Sequence, residues 1–125
     1  MRTILWMTVA LAVAATAALA AVPAAAAKDG DVRIAGRCTG ATTSKLKLSE
    51  EDGRVEVEFE VDQNRNGVRW AVVIRRNGAV IRRVSRVTGG RSGSFEVRVL
   101  ARGGAFTATA TRRGESCRAS GRFAL

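Results

Sequence analysis

From Arg54 to Val61 the chain reads RVEVEFEV, with Val55, Val57, Phe59 and Val61 on one parity and Glu56, Glu58 and Glu60 on the other. Successive side chains leave a strand on opposite faces, so this alternation predicts a half-buried β-strand. VRWAVVIRR repeats the pattern, with Val68, Trp70, Val72 and Ile74 on the apolar side. Joining the two runs as a hairpin, with Val61 opposite Val68, sets Phe59 beside Trp70 and Glu60 beside Arg69. That register agrees on both faces.

Asn77-Gly78 stands between VVIRR and AVIRR and predicts a tight type I′ turn, because both central residues must take positive φ. The following strand, Ala79 to about Val87, has a slipped pattern: Ile81 and Val84 cannot both face inward without a bulge. It reads as an edge strand, guarded against pairing with other chains by Arg82, Arg83 and Arg86. Thr88 to Ser94 is expected to be a flexible turn. Phe95, Val97 and Val99 then face inward, as do Phe106, Ala108 and Ala110, and finally Cys117, Ala119, Gly121 and Phe123. Upstream, Val32, Ile34 and Cys38 share a parity, and Leu46 and Leu48 precede a turn at Asp52-Gly53.

No segment shows an apolar repeat at helical period. Seven to eight short strands with one buried Trp predict an all-β fold, an antiparallel two-sheet sandwich that is immunoglobulin-like in the loose architectural sense. The cysteines lie too far apart around the Trp strand for a true antibody-type domain.

The first residues change the picture. Arg2, an uncharged run rich in Ala, Leu and Val, and Ala25-x-Ala27 are laid out as a secretory signal, so residues 1–27 are expected to be removed and 28–125 to form one domain. An uncleaved anchor is the competing reading, since Thr3 to Ala27 could cross a bilayer. Pro23, the weakly apolar alanines and the cleavage site favour removal, and with it a secreted, extracellular location. In an oxidising compartment the only two cysteines, Cys38 and Cys117, read as a disulfide. Closing a loop of about 80 residues stabilises by roughly 4 kcal/mol in the chain-entropy model. A metal or redox pair lacks C-x-x-C spacing and any His.

Charge is the strongest compositional feature. The formal net charge is +10, and without Arg2 there are 20 basic against 11 acidic side chains. A GC-rich genome would account for part of the arginine bias without any binding partner. The distribution is more telling than the total: no acid falls between Asp62 and Glu96, where Arg65, Arg69, Arg75, Arg76, Arg82, Arg83, Arg86 and Arg91 all occur. Arginine's planar fork suits phosphate and carboxylate. Arg75, Arg76, Arg82, Arg83, Arg86 and Arg91 are therefore the candidate contacts for an anionic cell-envelope polymer or an acidic protein. Nucleic acid is the poorer match, since Phe59, Trp70, Phe95, Phe106 and Phe123 all fall on apolar parities and leave no stacking platform.

Candidate chemistry is sparse. Asp62-x-Asn64-x-Asn66-Gly67 resembles the first half of a calcium loop, but the twelfth position, which needs a bidentate acid, is Val73, and Arg65 would sit near the ion. Asp, Asn and Gly also favour turns for their own reasons. The reading is a turn with no metal, and Glu50, Glu51 or Asp52 are the donors a metal would have to borrow. Glu56, Glu58 and Glu60 have spacing compatible with paired-carboxylate hydrolysis. On a flat strand beside Arg69 and Arg75 they read instead as a solvated ladder. With no His, no Tyr, no free Cys and no G-x-S-x-G elbow, the chain is expected not to be an enzyme and to need no cofactor.

The run SKLKLSEEDGRVEVEFEVDQNRNGVRWAVVIRRNG, with GSFEVRVLARGG and GESCRA, resembles a group of short exported proteins of actinobacteria. The resemblance covers nearly the whole of 28–125 and implies a secreted sandwich, with no activity and no site residues to carry over. Two functions follow as expectations: a non-enzymatic module binding an anionic partner through its arginines, or a secreted inhibitor or small-ligand carrier acting through Asp62–Gly67 and Thr88–Ser94.

Overall fold

The structure is a computed structural model that describes residues 30–125; the signal sequence read at 1–27 lies outside the described residues. Nine strands follow in order: β1 (Val32–Ala35), β2 (Arg37–Cys38), β3 (Thr43–Glu51), β4 (Arg54–Asp62), β5 (Arg69–Arg76), β6 (Ala79–Val87), β7 (Ser94–Ala101), β8 (Gly104–Arg112) and β9 (Glu115–Phe123). The described residues contain no helix. A four-stranded sheet, β1-β3-β4-β7, faces a five-stranded one, β2-β9-β8-β5-β6, and all strand pairs are antiparallel.

The inward residues are those the alternation selects. Leu46, Leu48, Val55, Val57, Phe59, Val61 and Val97 come from the smaller sheet, and Trp70, Val72, Ile74, Phe106, Ala108, Ala110 and Cys117 from the larger; all are buried. At about 25 cal/mol per Å² of apolar surface, each large side chain removed from water contributes about 1.5–3 kcal/mol. Trp70 leans on Phe95 across the core, with ring centroids 6.4 Å apart and planes tilted by 53°.

Two tight turns have the backbone expected of them. Asp52 and Gly53 take φ of 49° and 77°, and Asn77 and Gly78 take 49° and 83°. Positive φ at both central positions matches the right-handed twist of the hairpins β3–β4 and β5–β6. The slipped pattern in β6 is a bulge: the β5–β6 register shifts between Ile74 and Arg75, leaving Ile81 as the extra residue, and Ile81 and Val84 both pack against the core. β6 is the outer strand of its sheet.

The predicted hairpin between β4 and β5 does not form. β4 pairs with β3 and β7, while β5 pairs with β6 and β8 in the opposite sheet, so Phe59 does not sit beside Trp70 in one ladder. An alternating strand is satisfied equally by a neighbour in its own sheet or by an apolar face across the core, so periodicity cannot choose between them. The β4–β5 link crosses between layers.

The ninth strand arises at Gly36. One extended stretch leaves the smaller sheet as β1 and enters the larger as β2, with Gly36 at the switch, its N–H donating 2.8 Å to the Ser44 carbonyl. A side chain there would strike Ser44 Oγ and press within 3.1 Å of the Arg118 carbonyl, so only glycine passes. Cys38 and Cys117 are direct register partners on β2 and β9 and form the disulfide, closing a sequence separation of 79. The bridge thus ties the first strand of its sheet to the last strand of the chain within a single sheet, unlike the inter-sheet bond of antibody domains.

Candidate functional site: the outer faces of the two sheets

On the smaller sheet, β4 carries its acids between basic neighbours. Lys45 lies opposite Glu60, and Lys47 opposite Glu58, from β3; Arg98 lies opposite Glu58 from β7. Lys47 Nζ is 3.9 Å from Glu58 and 3.9 Å from Asp31, and Arg98 reaches Glu56 at 3.7 Å and Glu58 at 3.3 Å and also bonds Glu96. A hydrogen bond with Glu56, then burial, hold the Glu58 carboxyl above the ordinary glutamate value, with Lys47 and Arg98 pulling the other way. Glu96 first, then Glu58, raise the Arg98 guanidinium. The neighbours of the acidic ladder are therefore Lys45, Lys47 and Arg98, in place of Arg69 and Arg75, because β5 lies in the other layer.

The outer face of the larger sheet is built differently. Parity from the register places Arg69 and Arg75 on β5, Arg83 on β6, Arg118 and Arg122 on β9 and Arg37 on β2. No acidic residue shares that face, and none of the six arginines forms an ion pair among the described residues. Between them runs β8, offering Ala105, Thr107, Thr109 and Thr111. β5 and β9 flank β8, so at about 4.8 Å per strand spacing the arginine rims stand about 10 Å apart. The result is a shallow, small-residue trough with a cationic rim on each side. It is about 20 Å long over the span from Ala105 to Thr111.

The six arginines singled out from the acid-free segment do not gather. Arg75 and Arg83 lie on this face. Arg76 turns to the end of the sandwich, where it donates to the Gly103 carbonyl at 2.9 Å from Nε. Arg82 and Arg86 have the inward parity at the open side of the edge strand, opposite Ile74 and Trp70. Arg91 is exposed on the β6–β7 connection. In their place the fold brings in Arg37, Arg118 and Arg122 from outside that segment. Their only sequence signal is polar parity in strands flanking the cysteines.

The Asp62–Gly67 loop is the crossover between the layers. Asp62 Oδ1 accepts the Asn64 N–H at 3.1 Å, Asn64 takes φ of 57° and Gly67 takes 80°. Glu50, Glu51 and Asp52 sit at the other end of the nine-residue strand β4, about 27 Å away. They cannot supply ligands here. Thr88 to Ser94, expected to be a flexible turn, is pinned. Gly89 and Ser94 exchange two backbone hydrogen bonds at 3.0 Å, and buried Thr88 donates to the Arg65 carbonyl at 2.6 Å while accepting the Val68 N–H at 3.0 Å. A side chain at Gly93, whose φ is 62°, would collide with the Arg65 backbone. These two loops lock each other.

At the same end, Arg112 lies 5.6 Å from the Trp70 ring centre and holds Glu115 at 3.2 Å, Thr42 bonds the other oxygen of Glu115, and Trp70 Nε1 donates to Gln63 at 3.1 Å. This polar plug closes the core. Among the described residues no group of three His, Cys, Asp or Glu side chains gathers as a metal site, and no helix is long and apolar enough to cross a membrane.

Comparison with protein-family models, with curated proteins and with solved structures returns no match to this chain.

Proposed function

We propose that this chain is a secreted, non-enzymatic binding module that docks an anionic polymer of the cell envelope along the trough of its five-stranded sheet. The likeness to short exported actinobacterial proteins and the signal layout of residues 1–27 support the extracellular setting, and the Cys38–Cys117 disulfide is compatible with it. The observation that carries the reading is the acid-free outer face, where Arg69 and Arg75 on β5 and Arg118 and Arg122 on β9 flank the Ala and Thr floor of β8, with Arg83 and Arg37 one strand further out. Like charges held on one rigid face repel one another and gain free energy from a counter-charged partner. Two rims about 10 Å apart accommodate an extended chain lying along β8, each rim neutralising one side. The small floor residues keep the backbone of the polymer close to both.

The test is retention on immobilised teichoic acid or heparin across a salt series. Binding should weaken steeply between 50 and 200 mM salt, as charge-driven association to a dense polyanion does. Salt-independent retention, or none, refutes the reading.

A further inference from the structure

Cross-strand partners of like charge destabilise a sheet, and this chain places one such pair where it cannot separate. Arg37 on β2 lies directly opposite Arg118 on β9. One residue further along each strand, the Cys38–Cys117 disulfide fixes the two backbones together on the inner side. The Thr39 N–H donates to the Ser116 carbonyl at 2.9 Å, so ladder alternation makes Arg37 and Arg118 a hydrogen-bonded pair with Cα atoms about 5.5 Å apart. Neither guanidinium has an ion-pair partner among the described residues.

Beside them the chain changes sheets at Gly36, and a groove of about 430 Å³ opens along this edge of the sandwich. Arg37 and Arg118 line it together with Ser120, Ile34, Ala35 and Ala119. Two arginines, a serine and a partly apolar wall border one hollow.

We infer that this groove is a subsite for a tetrahedral oxyanion, a phosphate or sulfate group. A planar carboxylate satisfies one guanidinium with its two oxygens, whereas two adjacent guanidinium forks call for more acceptor oxygens and about two negative charges. The inference rests on the trough reading and deepens it. The groove adjoins the β9 rim, so a phosphate or sulfate carried by the polymer anchors there while the rest of the chain lies along β8.

The experiment is thermal melting of the protein in 10 mM inorganic phosphate, sulfate or acetate against chloride at equal ionic strength, for the wild type and for Arg118→Glu, Arg37→Glu and Arg69→Glu. With millimolar affinity, phosphate and sulfate raise the wild-type Tm by about 5 °C and acetate does not. Arg118→Glu and Arg37→Glu turn repulsion into a cross-strand attraction. They should melt at or above the wild type in chloride yet lose the phosphate shift. Arg69→Glu, on the far rim, should keep it. An equal shift in Arg118→Glu, or an equal shift with acetate, overturns the subsite. No wild-type shift while polymer retention persists overturns the subsite and leaves the trough standing; loss of salt-sensitive retention itself removes the reading beneath both.

Discussion

The two outer faces of this sandwich solve the same problem in opposite ways. On the four-stranded sheet the acids of β4 lie between Lys45 and Lys47 on one side and Arg98 on the other, and the face neutralises itself through cross-strand ion pairs. On the five-stranded sheet Arg37, Arg69, Arg75, Arg83, Arg118 and Arg122 have no acidic neighbour on the face. Exposed pairs contribute only about 0–1 kcal/mol each, so the first face gains little beyond solubility. The second face keeps its charge uncompensated among the described residues.

The largest way to break this comparison is to cut the bridge that holds the cationic face together. Replacing Cys38 and Cys117 by Ser frees a loop of 79 residues and should lower unfolding stability by about 4 kcal/mol, read from denaturant melts. The four-stranded face has no such covalent tie. Hydrogen exchange should therefore rise first in β2 and β9.

Next in size is charge reversal of the trough. Arg69→Glu, Arg75→Glu and Arg118→Glu together should weaken polyanion binding at least about 100-fold at 150 mM salt, and the corresponding alanine triple should lower the slope of log affinity against log salt by about three. Lys45→Glu with Lys47→Glu on the other face should change retention less than about threefold. If the two sets act alike, net charge rather than the trough drives binding.

A smaller effect probes the self-neutralised face. Lys47→Ala removes a partner of both Glu58 and Asp31 and should cost about 0.5–1 kcal/mol, diminishing in high salt. The smallest is a pH effect. The raised carboxyl of Glu58 binds more protons in the folded chain than in the unfolded one between the ordinary glutamate value and its own. Stability from this group is therefore full below the ordinary value and is lost as pH rises through the raised one. Glu58→Gln should flatten that decline in melts taken from pH 4 to 7.

Residue facing was legible from local pattern alone. Val55, Val57, Phe59 and Val61, or Phe106, Ala108 and Ala110, face the core because adjacent side chains leave a strand on opposite sides, a property of the backbone that needs no partner. The Asn77-Gly78 turn and the bulge implied by Ile81 and Val84 were equally local. The candidate site was only partly legible. The acid-free stretch pointed to arginines, and Arg75 and Arg83 do lie on the cationic face, Arg75 on the rim of the trough and Arg83 one strand beyond it, but Arg76 is spent on the Gly103 carbonyl and Arg82 and Arg86 have the inward parity.

By itself, then, the sequence determined which side of each strand is wet, where tight turns fall and that two cysteines were available to pair. Tertiary structure alone decided that β4 and β5 part company, that Gly36 carries one strand across both layers and that Arg37 lies against Arg118. Parity is set by neighbours along the chain. Adjacency is set by backbone hydrogen bonds between segments as distant in sequence as Arg37 and Arg118, and those bonds look alike whichever strand supplies them.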